Sequence, residues 1–194
     1  MASGELSAAQ TARRFRVGEV PPLAEGFTER PDTARGIPDA LVPGSVIALV
    51  PGSTFAEGPQ NWLGACGKTQ IAVLLAESLW QSGAIDILVW ISATSRSSVL
   101  TGYVAASVAA TGIEPTGTAE SVAARFVGWL GETSRLWLVV LDDLLETTDL
   151  DGLWPRGATG RLLVSTNWPA TVAGRGAGRV RQFHSVEIGH QVVQ

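Results

Sequence analysis

Fourteen residues of this 194-residue chain are basic, and Lys68 is the only lysine; the other thirteen (14 − 1) are arginine. Lys68 stands in Gly67-Lys68-Thr69. A compact ammonium on a flexible stem can reach among the β- and γ-phosphate oxygens of a nucleotide, where a broad planar guanidinium is no equivalent. The preceding residues extend the pattern. Trp62-Leu63-Gly64-Ala65-Cys66-Gly67-Lys68-Thr69 has the spacing of a phosphate-binding loop, with tryptophan where the pattern has its first glycine. Gly64, Ala65, Cys66 and Gly67 could turn backbone N–H groups toward phosphate at a helix N-terminus, where partial positive charge favours an anion. Thr69 would set its hydroxyl on Mg²⁺, and Gln70 follows in the same turn. A helix that merely begins after a glycine turn fits these residues too.

The second chemical feature is Leu138-Val139-Val140-Leu141-Asp142-Asp143, an apolar run ending in paired carboxylates. At the C-terminal tip of a parallel strand such residues face the ligand crevice. Asp142 would hold the hydration shell of Mg²⁺, and Asp143 could orient or deprotonate an attacking water. Two solvated acids in a loop, or a helix N-cap, is the alternative. The two motifs in this order, roughly seventy residues apart, predict triphosphate binding with Lys68 and Asp143 as catalytic groups.

The elements that must position them alternate between short apolar runs and helical spacing. Strands are predicted at 46–50, 87–91, 136–141, 162–166 and, at an edge, 180–188. Helices are predicted from Lys68 to about Trp80, around Val99, Tyr103 and Val108, and after Thr118 as N-cap, with Val122, Phe126, Trp129 and Leu130 on one side. Buried strands separated by helices predict a three-layer α/β fold: a mostly parallel five-stranded sheet covered on both faces. Residues 1–20 read as an N-terminal extension, 21–190 as the domain and 191–194 as a tail.

Composition narrows the function classes. A net charge of −4 with 16% charged residues argues against generic nucleic-acid binding. The single Cys66 excludes an intramolecular disulfide framework, and no Cys/His cluster offers a metal site. Cys66 beside Lys68 at a helix N-terminus could be oxidisable, but a small loop residue explains it equally. No run has the length of a signal peptide or a bilayer span, so a soluble, cytoplasmic protein without a membrane partner is expected. The seven tryptophans fit core or partner packing better than base stacking, with Trp154-Pro155 and Trp168-Pro169 expected in loops as contacts for a neighbouring domain. Arg156 and Arg161 read as solvated, and His184 and His190 receive no role.

The set Phe27-Thr28-Glu29-Arg30, Gly67-Lys68-Thr69, 138–143 and Gly160-Arg161-Leu162-Leu163-Val164-Ser165-Thr166-Asn167 resembles the NB-ARC branch of the STAND signal-transduction ATPases, over roughly residues 20–190. The resemblance implies a P-loop NTPase fold whose sensor strand, at 162–166, lies between the phosphate-loop strand and the acidic strand. It implies Phe27 and Arg30 lining adenine, although Glu29 replaces the family's glycine. It also implies a γ-phosphate sensor at Asn167, where the family carries arginine. The family's later helical and winged-helix parts are not found before Gln194, so the chain reads as a core nucleotide-binding domain, a fragment or a minimal version.

The expectation is an ATP- and ADP-binding, slowly ATP-hydrolysing switch that uses Mg²⁺ and contacts other domains or protein partners, with an oligomer possible on activation. A nucleotide-free interaction scaffold with a degenerate loop is the main alternative. A small-molecule kinase is the lesser one.

Overall fold

Alternate residues of each central strand feed two separate hydrophobic layers. The computed structural model describes residues 14–25, 37–51, 67–167 and 180–185. In chain order these form β1 (Phe15–Val17), α1 (Ile37–Ala40), β2 (Ser45–Pro51), α2 (Lys68–Gln81), β3 (Ile87–Ser92), α3 (Arg96–Thr111), α4 (Ala119–Glu132), β4 (Trp137–Leu144), a 3₁₀ turn (Thr147–Leu150), β5 (Gly160–Thr166) and β6 (Val180–Ser185). The sheet order is β1-β3-β4-β5-β2-β6, and every pairing is parallel. Val46, Ala48 and Val50 join Val139, Leu141 and Val164 on one face, under Val99 and Tyr103 of α3 and Phe126 and Leu130 of α4. Ile47 and Leu49 join Val140 and Leu163 on the other, under α1 and Ile71, Ala72 and Leu75 of α2. A strand covered on both sides has no polar face to alternate, which is why these runs are continuously apolar.

The helix ends follow local chemistry. Ser95 and Ser98 form a reciprocal capping box on α3, and left-handed Gly112 ends that helix. Thr118 accepts from the Ser121 N–H at the start of α4, as its position predicts. Trp129 is only partly buried, with its ring 5.6 Å from that of Phe126.

The five expected strands are present, with a sixth, β1, beside β3. Three residues are too few to show alternation. β1 is held by pairing Phe15 with Ile87 and Val17 with Val89, and by arginines that reach α2. Arg16 Nη2 lies 2.7 Å from Glu77 Oε1, and the Arg14 guanidinium sits 4.1 Å above the Trp80 ring. β4 does not stop before its acids but runs through both to Leu144, with a register shift between Leu141 and Leu144.

Two surface expectations are corrected. Arg161 is 8% exposed at the start of β5, where its Nε donates to the Leu41 carbonyl at 2.9 Å. Trp154 is partly buried against the α3/α4 layer rather than open for a neighbour.

Gly160 is required by packing. A Cβ there would fall inside the Trp137 ring, which is itself fixed by Nε1 donating to the Leu130 carbonyl at 2.9 Å. Gly160→Ala is therefore expected to destabilise the fold by about 1–3 kcal/mol, the usual cost of overpacking, read as a lowered midpoint in urea with an unchanged slope.

Candidate functional site

Three chain segments converge at the C-terminal edge of the sheet. The first turn of α2 carries Lys68, Thr69 and Gln70; the end of β4 carries Asp142 and Asp143; and the end of β5 carries Ser165, Thr166 and Asn167. Gly67 precedes α2 with φ 72°, a left-handed conformation that glycine adopts without strain. It brings no side-chain oxygen to compete for the first-turn N–H groups, so the helix opens toward the crevice with its positive end uncapped by residue 67.

The side chains meet across long sequence separations. Lys68, 7% exposed, donates from Nζ to Asn167 Oδ1 at 2.7 Å. Thr69 Oγ1 donates to Asp142 Oδ1 at 3.0 Å, and Ser165 Oγ donates to the same oxygen at 2.5 Å. Ser165 Oγ also accepts the Asp143 N–H at 2.8 Å, and Thr166 Oγ1 donates to the Leu144 carbonyl at 2.8 Å. Asp143 adopts φ 55° and is exposed near the end of β4. Side-chain hydrogen bonds thus link Lys68 to Asn167 and Thr69 to Asp142, and Asp143 joins this edge through its backbone N–H to Ser165.

Gln70 is placed differently from a phosphate contact. Its Oε1 accepts from Ala24 N at 2.6 Å and its Nε2 donates to the Pro22 carbonyl at 3.3 Å, so it ties the entry segment to the first turn of α2. Phe27, Arg30, Trp62, Gly64, Ala65 and Cys66 lie outside the described residues.

Burial raises the Asp142 carboxyl above its ordinary range; the hydroxyls of Ser165 and Thr69 pull it back, and the neighbouring Asp143 charge pushes it up again. Because its folded value is raised, ionised Asp142 costs stability above that value. The cost is relieved as pH falls through it, and vanishes below the unfolded value, where both states are protonated. Asp142→Asn, which keeps an acceptor for both hydroxyls, is therefore expected to melt above the wild type at pH 7 without nucleotide. That gain should shrink toward zero as pH approaches 3.8, the carboxyl's ordinary value.

The donor set fits a hard cation. A desolvated carboxylate gains from a nearby positive charge, and Thr69, with its hydrogen committed to Asp142, keeps the lone pairs of Oγ1 for a metal. Among the described residues no group of three or more His, Cys, Asp or Glu could hold a metal ion by itself. Mg²⁺ with one carboxylate, one hydroxyl, several waters and phosphate oxygens matches what is present.

β5 lies between β2, which leads into the loop, and the acid-bearing β4. That order is the one which the resemblance to P-loop NTPases implies, in a three-layer α/β fold with an all-parallel sheet. No family model matches the chain, and no curated protein matches it. Among solved structures, the chain is similar to the Aeropyrum pernix ORC2 protein in its ADP form, at 18% identity and a TM-score of 0.43, over 79% of this chain and 44% of that one. The same protein in its ADPNP-ADP complexes gives 14% identity and a TM-score of 0.38, over 70% and 39%. The chain spans less than half the length of these structures. Among the described residues, no helix is long and apolar enough to cross a membrane.

Proposed function

We propose that this chain is an ATP- and ADP-binding regulatory switch domain of the STAND type, with slow, Mg²⁺-dependent hydrolysis. One observation carries the reading: Lys68, Thr69, Asp142 and Asn167, from three segments, interlock at the edge of a parallel sheet where the first turn of α2 begins. A buried ammonium and a buried carboxylate are expensive groups to keep, and a phosphate–metal ligand gives both a use. Mg²⁺ with the nucleotide would be held by Thr69 and, through water, by Asp142, and would neutralise phosphate charge. Asn167, a neutral group in place of the family's arginine, would report the γ-phosphate by hydrogen bonding, which suits slow turnover. Phe27 and Arg30 would give the preference for adenine.

The switch acts by population shift: ATP and ADP stabilise different contacts with other domains or protein partners in the cytoplasm, and oligomerisation follows activation. The scaffold reading draws on the 2.7 Å bond from Lys68 to Asn167, which gives the lysine a partner within the protein.

Isothermal titration with ADP and a non-hydrolysable ATP analogue, with and without Mg²⁺, separates the two. Saturable binding that tightens with Mg²⁺ supports the switch; absence of heat and of thermal stabilisation at millimolar nucleotide supports the scaffold.

A further inference from the structure

The tripeptide Ser165-Thr166-Asn167 at the tip of β5 wires three different groups, one per residue. Asn167 holds Lys68, Thr166 holds the Leu144 carbonyl, and Ser165 holds both aspartates. Ser165 is fully buried and its hydroxyl has one hydrogen. Since Oγ accepts from the Asp143 N–H, that hydrogen is directed at Asp142 Oδ1. Thr69 donates to the same Oδ1, so this oxygen takes two hydroxyl hydrogens, and among the described residues no side-chain hydroxyl donates to the other carboxylate oxygen. The backbone between the acids is equally constrained. Asp143 holds a left-handed φ of 55°, which aspartate tolerates better than most non-glycine residues but which is still the less populated choice that the surroundings select. Here Ser165 grips its N–H on one side, and the pairing of Leu144 with Thr166 fixes the strand on the other.

We infer that Ser165 is a positioning residue, which orients the Asp142 carboxylate for the metal-bearing nucleotide by holding its Oδ1 and aims the Asp143 carboxylate by holding its backbone left-handed. This rests on the switch reading for its consequences in binding and turnover, but the constraint on Asp143 exists without any ligand. Loss of the hydroxyl leaves Asp142 Oδ1 with one donor and frees the Asp143 peptide to rotate.

The test compares the whole chain with Ser165→Ala and Ser165→Thr. For Ser165→Ala, affinity for ADP without Mg²⁺ stays within about twofold, the gain on adding Mg²⁺ falls roughly tenfold, and single-turnover hydrolysis slows roughly tenfold, each matching the loss of one hydrogen bond to a charged group. Ser165→Thr, which keeps the hydroxyl, restores most of both. In ligand-free protein the Asp143 amide exchanges with solvent at least tenfold faster in Ser165→Ala than in wild type or Ser165→Thr, while core amides of β4 do not change. An Ala variant with lowered melting temperature but an unchanged Mg²⁺ gain and unchanged Asp143 exchange would overturn the inference and leave Ser165 a packing residue. If the wild type binds no nucleotide, the switch reading fails, and the Asp143 exchange rate alone decides for or against the positioning role.

Discussion

Lys68→Ala is expected to weaken ADP and ATP binding on the order of 100-fold or more while the ligand-free chain stays folded. Lys68 is 7% exposed at the first turn of α2 and its ammonium lies 2.7 Å from Asn167 Oδ1, so it stands where phosphate oxygens would meet the helix N-terminus. A charge-assisted hydrogen bond contributes about 1.5–3 kcal/mol, and an ammonium can give two of them to phosphate, which sets the scale of the loss. Lys68→Arg is the sharper comparison. Thirteen of the fourteen basic positions are arginine, so a chain that tolerates guanidinium everywhere else should still lose affinity here if the compact point charge matters. Titration of ADP into the three proteins reads the result; equal affinity in wild type and Lys68→Ala would remove the lysine from the site.

The parts of this site that could be read in the sequence are those whose residue types are conspicuous at a strand or helix end. Leu138 to Leu141 followed by two aspartates announces a buried strand and its tip, and Gly67-Lys68-Thr69 announces the start of α2. The continuity of the apolar runs is a direct consequence of two covered faces, so the sheet was legible as well. Ser165 carries no signal in the sequence, because a serine in a strand is chemically bland until the neighbouring strand is known. Its role depends on the register that sets β4 beside β5 and on the shift at Leu141/Leu144. Gln70 illustrates the same limit: its partners, Pro22 and Ala24, are 48 and 46 positions away, and nothing local encodes the path that brings them there. The charge of Arg161 suggests a solvated residue, whereas its place between Gly160 and an apolar run puts it near the start of a buried strand. β1 is too short for a pattern, and tertiary pairing makes it.

Asp143→Asn is expected to leave nucleotide affinity within about twofold and to slow hydrolysis by roughly 10²–10⁴, the range a positioned general base contributes. The substitution isolates the carboxylate. Asparagine shares aspartate's tolerance of the left-handed region, so φ 55° is kept, and the backbone N–H that donates to Ser165 Oγ is untouched. Asp143 is exposed while Asp142 is buried and bonds to Thr69, so the proposed function would have Asp143 act as the base at the open edge and Asp142 face the metal. Asp143→Gly provides the control for the backbone: it relieves the left-handed strain and also lacks the carboxylate, so its turnover should match that of the asparagine variant even if its stability differs. Single-turnover phosphate release, measured beside equilibrium binding, distinguishes the cases. Loss of binding in Asp143→Asn would make Asp143 a ligand-holding group, and undiminished turnover would move the base to another acid of the same edge, such as Glu146 three residues on. A selective loss of turnover in both variants assigns the orienting or deprotonation of the attacking water to the Asp143 carboxylate, the group that both substitutions remove.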